Sequence, residues 1–266
     1  MKTVKKLPRW SAALLAGLAC TADLLLAVDP VTGFVKAGPL WPHYLLFLAA
    51  AAVVAALARR VPGGLPAGVP RRPLGVWMEL TGAALAAAGG CSLFEALQWG
   101  SGWLPFVRGA LLALAAFWFF VRGAAAYAGG EAGTPPTAWE LLAVLPGFFV
   151  LLLERFVLDP PPVARVGLML RVLDAVLALT FLPLLGRLFY LPDTLFGRLL
   201  FAAGGLCCLF GTFAELPRTL AAALAGGADP LQVLLALVYG LLGCCGAAAA
   251  YCAWNGAPAA AKKTSQ

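Results

Sequence analysis

The chain reads as an all-α, polytopic helical membrane bundle of about eight transmembrane helices, and three observations predict this. Hydrophobic residues make up 62% and charged residues only 12%, whereas soluble domains carry about 25% charged residues. Mean hydropathy is +0.90. Alternating ten-residue strand patterns, the mark of an outer-membrane barrel, are absent, which leaves helices that satisfy their own backbone polar groups. The apolar segments are near the roughly 20 residues that a bilayer span requires, and short connections rich in Pro, Gly and charge separate them. No soluble domain fits between them, so residues 1–266 are read as one integral membrane domain.

Spans are expected at about 10–28, 41–58, 74–94, 104–126, 139–158, 166–186, 198–221 and 231–254. The first follows a basic stretch, the pattern of a signal peptide, and Leu15 to Cys20 has a faint lipoprotein-cleavage look. Apolar sequence continues through Val28, however, which gives a full span. The second ends at Arg59, and the loop to Pro73 holds four arginines. The third and fifth open on a proline shortly before a tryptophan, Pro73 with Trp77 and Pro136 with Trp139, as Pro8 and Trp10 open the first. Proline suits a first helical turn and tryptophan the headgroup belt. Glu79 and Glu140 beside those tryptophans are read as acids that favour the helix dipole in a first turn.

Near the far ends of alternate segments an acid recurs: Asp23, Glu95, Glu154 and Glu215. The last three are spaced by 59 and 61 residues, so the chain can be read as four tandem hairpins, each about 60 residues long. A carboxylate at the centre of a membrane helix costs roughly 2.5–3.5 kcal/mol, so the acids require an explanation. Small residues accompany several on their own helix face, such as Cys208, Gly211 and Thr212 before Glu215, which turns the acid toward a closely packed neighbour.

The sixth segment carries Arg171 and Asp174, three apart on one face and about 14 and 18 Å along a helix that starts after Pro162. A short Asp at that depth cannot snorkel, so the pair is expected to face the bundle interior, mutually paired, with Glu154 and Glu215 approaching. Proline in Glu215-Leu216-Pro217-Arg218 frees a backbone carbonyl toward a cavity. Arg108, Arg155 and Arg165 are read as interfacial residues that snorkel outward. The candidate binding residues are therefore Arg171, Asp174, Glu154, Glu215, Arg218, Glu95 and Asp23.

Basic residues orient the bundle. With the N-terminus cytoplasmic, thirteen Lys and Arg fall inside and six (Lys36, Arg108, Arg155, Arg165, Arg171 and Arg218) fall on the outer side or in the outer half. The expectation is a multi-pass protein of a bacterial plasma membrane with both termini cytoplasmic.

The net charge of +7 sits at segment ends without interleaved stacking aromatics, so no nucleic-acid partner is implied; the partner is the lipid bilayer. Seven cysteines form no CxxC pair and His43 is the only histidine. No metal site, cofactor or catalytic residue is predicted. Nucleophile elbow, HExxH and phosphate-loop motifs are all absent.

Three functions remain. The first is transport or binding of a small solute or ion at an outward-facing intramembrane polar site. The second is a sensor or complex subunit whose buried charges are structural. The third is a lipid-modifying intramembrane enzyme, which lacks a nucleophile to support it.

Overall fold

A computed structural model of the protein describes residues 7–61, 71–99, 102–129, 140–158, 162–190 and 196–255. It is 85% helical with no strands among the described residues. The helices are α1 (Leu7–Ala27), α2 (Trp41–Ala58), α3 (Arg72–Trp99), α4 (Trp103–Tyr127), α5 (Leu141–Leu153), α6 (Val166–Tyr190), α7 (Gly197–Cys207), α8 (Leu216–Leu224) and α9 (Pro230–Trp254). Two π-helical segments interrupt the regular winding: Glu154–Leu158 continues α5, and Cys208–Glu215 joins α7 to α8 in one 28-residue rod.

Six helices are long and apolar enough to cross a membrane: α2, α3, α4, α6, the α7–α8 rod and α9. Two of the segments expected to span fall short of that measure. Ser11–Ala27 of α1 is a shorter apolar helix, and α5 runs only 13 residues before its winding changes.

Local chemistry explains several ends. Pro230 opens α9 behind Asp229, whose Oδ1 accepts the Gln232 N–H at 2.6 Å, an ordinary N-cap. At the other end of α1, Lys36 Nζ donates to the carbonyls of Leu25 (3.3 Å) and Leu26 (3.2 Å), which have no partner within the helix. The expected first-turn acids take other places. Glu79 lies beyond the first turn of α3, and Glu140 precedes α5 without capping it by a side-chain hydrogen bond.

Between α1 and α2 the chain folds into a tight strap. Val28 and Val35 form an isolated bridge, and Asp29 N–H donates to the Phe34 carbonyl at 2.8 Å. The Thr32 hydroxyl, and after it the Val31 N–H, hydrogen-bond to the Asp29 carboxylate and hold it below the usual carboxylate range. Strap and neighbours interlock: Gly167 N–H meets the Gly33 carbonyl, Arg218 Nη1 donates to the Pro30 carbonyl at 3.1 Å, and Gly227 packs on Val31.

These contacts place the end of α1, the start of α6 and the end of α8 together. At the opposite end Arg71 reaches the Leu188 carbonyl and Arg198 the Val61 carbonyl, so successive rods alternate in direction. Small residues let them close up. A Cβ on Gly89 would lie 3.0 Å from the Gly109 carbonyl, and Gly204 of α7 meets Gly246 of α9 backbone to backbone. The main core lies between α3, α4, α5, α6, α7 and α9, with the end of α2 at its edge, and contains Phe119, Phe148, Phe181, Leu182 and Leu242. A second core joins α1 and α2 to α6 and the α7–α8 rod through Leu24, Phe47, Leu209 and Phe210.

Candidate functional site

At the strap end, charged side chains from five rods turn inward. Glu215 closes the second π segment with its side chain 1% exposed. Its Oε1 accepts from Arg171 Nε at 2.9 Å and from Arg155 Nη2 at 3.3 Å. Arg155 comes from the first π segment. Its Nη1 donates to the Arg171 carbonyl at 2.8 Å, and its guanidinium carbon lies 4.1 Å from the centre of the Tyr239 ring on α9, a cation–π contact. Both π segments thus contribute a charged residue here, in keeping with the frequency of π-bulges at functional positions.

Asp174 is wholly buried beside this group, but the ion pair expected between Arg171 and Asp174 is not made. Arg171 turns to Glu215, and neither oxygen of Asp174 has a hydrogen-bond partner among the described residues. The reason is directional. Two residues three apart on a helix are neighbours, yet a long arginine reaches across to a facing rod while a short aspartate cannot follow.

A second group lies nearby. Arg108 of α4 donates through Nη2 to Glu95 of α3 at 3.0 Å and through Nη1 to both oxygens of Glu154 at 3.2 Å, while its Nε donates to Ser92 Oγ at 3.0 Å. Arg108 and Arg155 each have side chains only 11% exposed, so the reading of these two as outward-snorkelling residues is corrected. Each has a carboxylate within reach, and a guanidinium already paired gains nothing by leaving for the headgroups. Arg165, by contrast, packs over the Phe34 ring of the strap.

Glu154, Arg155 and Arg171 line one cavity of about 150 Å³, walled otherwise by Leu151, Leu168, Val172 and Leu235. Arg171 is the decisive member. Its Nε is committed to Glu215, but its two terminal nitrogens bond to no described residue. Arg218, also buried, stands beneath the strap with its Nε unpartnered.

The candidate residues therefore separate. Arg171, Glu215 and Asp174 gather with Arg155 and Tyr239; Glu95 and Glu154 meet on Arg108; Arg218 joins the strap. Asp23 stands apart, with His43 Nδ1 2.9 and 3.0 Å from its two oxygens. The sequence reading missed Tyr239 and the Asp23–His43 partnership, and it turned Arg155 outward rather than into this cluster. A tyrosine ringed by Gly240 and Gly243 in an apolar helix was the available signal for Tyr239.

Compared with protein-family models, with curated proteins and with solved structures, the chain matches none. Function rests on the site alone. Among the described residues no group of three His, Cys, Asp or Glu is placed to hold a metal ion.

Proposed function

We propose that this chain is a single membrane domain that crosses a bacterial plasma membrane eight times with both termini cytoplasmic, and that it binds and transports a small anionic solute through the strap-end cavity. The observation that carries the reading is Arg171. A partly buried guanidinium that lines the cavity with both terminal nitrogens bonded to no described residue, beside a second guanidinium on Arg155, matches the fork geometry by which arginine holds carboxylate, sulfate or phosphate groups. Glu154 faces the same space but is already bound to Arg108 through both oxygens.

The threading is supported by the sorting of charge. Arg59, Arg60, Arg71, Arg72, Arg122, Arg187 and Arg198 lie on the end away from the strap, which the positive-inside rule assigns to the cytoplasm. Extending α1 and α5 to full spans completes the eight.

A second reading, a complex subunit or sensor, is favoured by one feature. An apolar cleft of about 70 Å³ between α1, α2, the α7–α8 rod and α9 is walled by Leu14, Val54, Phe201, Leu209 and Phe213. Uptake of radiolabelled sulfate into proteoliposomes separates the two. Uptake above protein-free vesicles supports transport, and its absence together with stable co-purification of another membrane protein supports the second.

A further inference from the structure

We infer that Asp174 is a proton-binding site coupled to the anion site, so that one proton enters the protein with each anion bound at Arg171. The inference rests on the anion-binding reading above and adds the coupling ion.

Asp174 has no exposed surface, and both of its oxygens lack a hydrogen-bond donor among the described residues. A buried polar group left unbonded is costly, and native structures leave few of them. Two more unmet atoms belong to side chains that face it, Glu215 Oε2 and the Tyr239 hydroxyl. The packing around the carboxyl is close. On the π segment, a Cβ at Gly211 would stand 3.4 Å from Asp174 Oδ1 while abutting the Tyr239 carbonyl. The titratable and charged groups facing Asp174 come from each surrounding rod: Glu215 from the second π segment, Arg155 from the first, Arg171 from α6 itself, Tyr239 from α9 and Cys207 from the end of α7.

A metal cation does not fit this setting. Two of the facing groups are guanidiniums, and the described residues offer no set of three ligating side chains. A proton requires no coordination shell. Bound there, it converts the ion to the neutral acid and makes Asp174 a hydrogen-bond donor among neighbouring oxygens that have none, Glu215 Oε2 included.

Charge balance gives the coupling its sign. Arg155 and Arg171 supply the positive field at Asp174, and both also bond Glu215. An anion on Arg171 weakens that positive field. A carboxylate in a diminished positive field takes up a proton more readily, and by reciprocity the proton strengthens anion binding.

The test is sulfate binding by the purified full-length protein, followed by calorimetry in two buffers of different ionisation enthalpy. Sulfate stays fully charged near neutral pH, so any proton taken up belongs to the protein. Between the titration of the acid in the free protein and its titration in the sulfate complex, wild type is expected to take up about one proton per sulfate and to lose about tenfold in affinity per pH unit. Asp174→Asn should bind sulfate with no proton uptake and no pH slope, and Asp174→Glu should keep both. Sulfate binding by wild type without proton uptake overturns the coupling and leaves the anion site standing; uptake that persists in Asp174→Asn does the same. Wild type that binds no sulfate overturns the anion reading, and the coupling with it. Should Asp174→Asn not fold, the slopes of wild type and Asp174→Glu decide.

Discussion

The two ends of the molecule both bury arginine–carboxylate pairs, and they finish them differently. Away from the strap, Arg122 of α4 binds Glu140 through Nε and Nη2, one to each carboxylate oxygen. Tyr190 then donates to Glu140 at 3.4 Å, and Trp118 Nε1 donates to the Tyr190 hydroxyl at 3.1 Å. That network is closed. At the strap end the buried atoms left without a partner accumulate, on Arg165, Asp174, Glu215, Arg218, Thr219 and Tyr239. A closed bidentate pair fixes how α4, α5 and α6 pack. An open cluster beside a cavity keeps donors and acceptors for something that arrives from outside, and the contrast therefore locates the site better than charge alone.

Four substitutions probe this contrast, from the largest effect to the smallest. Glu215→Gln removes the one carboxylate bonded to Arg155 and Arg171, and should destabilise the fold by about 3–5 kcal/mol, read as loss of folded yield and melting temperature in detergent. Next comes the closed network. Arg122→Ala leaves Glu140 without its bidentate partner and should cost roughly 1–3 kcal/mol, whereas the double variant Arg122→Ala/Glu140→Ala should recover part of that loss in a double-mutant cycle. Equal melting temperatures for single and double variants would show the network to be no more than a rim contact. Glu95→Gln should cost less than about 1 kcal/mol, because its carboxylate is 42% exposed and Glu154 still holds Arg108. Smallest is Asp174→Asn, which breaks no hydrogen bond and should leave the melting temperature within the scatter of repeat measurements. A large loss there would mean that Asp174 is a structural strut after all.

Much of the architecture was legible in the sequence because lipid imposes it. Apolar runs between Pro, Gly and charge mark the helices, and the acids near the ends of alternate segments mark the strap end. Partner choice was not legible. Arg171 passes over Asp174, its neighbour on the same helix, for Glu215 on a facing rod, a preference set by side-chain reach and rod position. Arg155 was placed outward for a related reason. Adjacent helix residues point about 100° apart, so Glu154 and Arg155 serve two different clusters although they are sequence neighbours. The change to π winding at Glu154 and across 208–215, which presents Arg155 and Glu215 to one another, has no marker in residue composition.

The most direct measurement is a sulfate titration of purified wild type against Arg171→Gln, with Arg155→Lys as the companion that keeps the charge. If the strap-end cavity is the anion site, Arg171→Gln should weaken sulfate binding by at least about tenfold, a loss of roughly 1.4 kcal/mol, and lower the melting temperature less than Glu215→Gln because the Arg155–Glu215 bond remains. Arg155→Lys should fall between the two. Unchanged affinity in Arg171→Gln would contradict the account, because the two free nitrogens of that side chain are what the anion is proposed to hold.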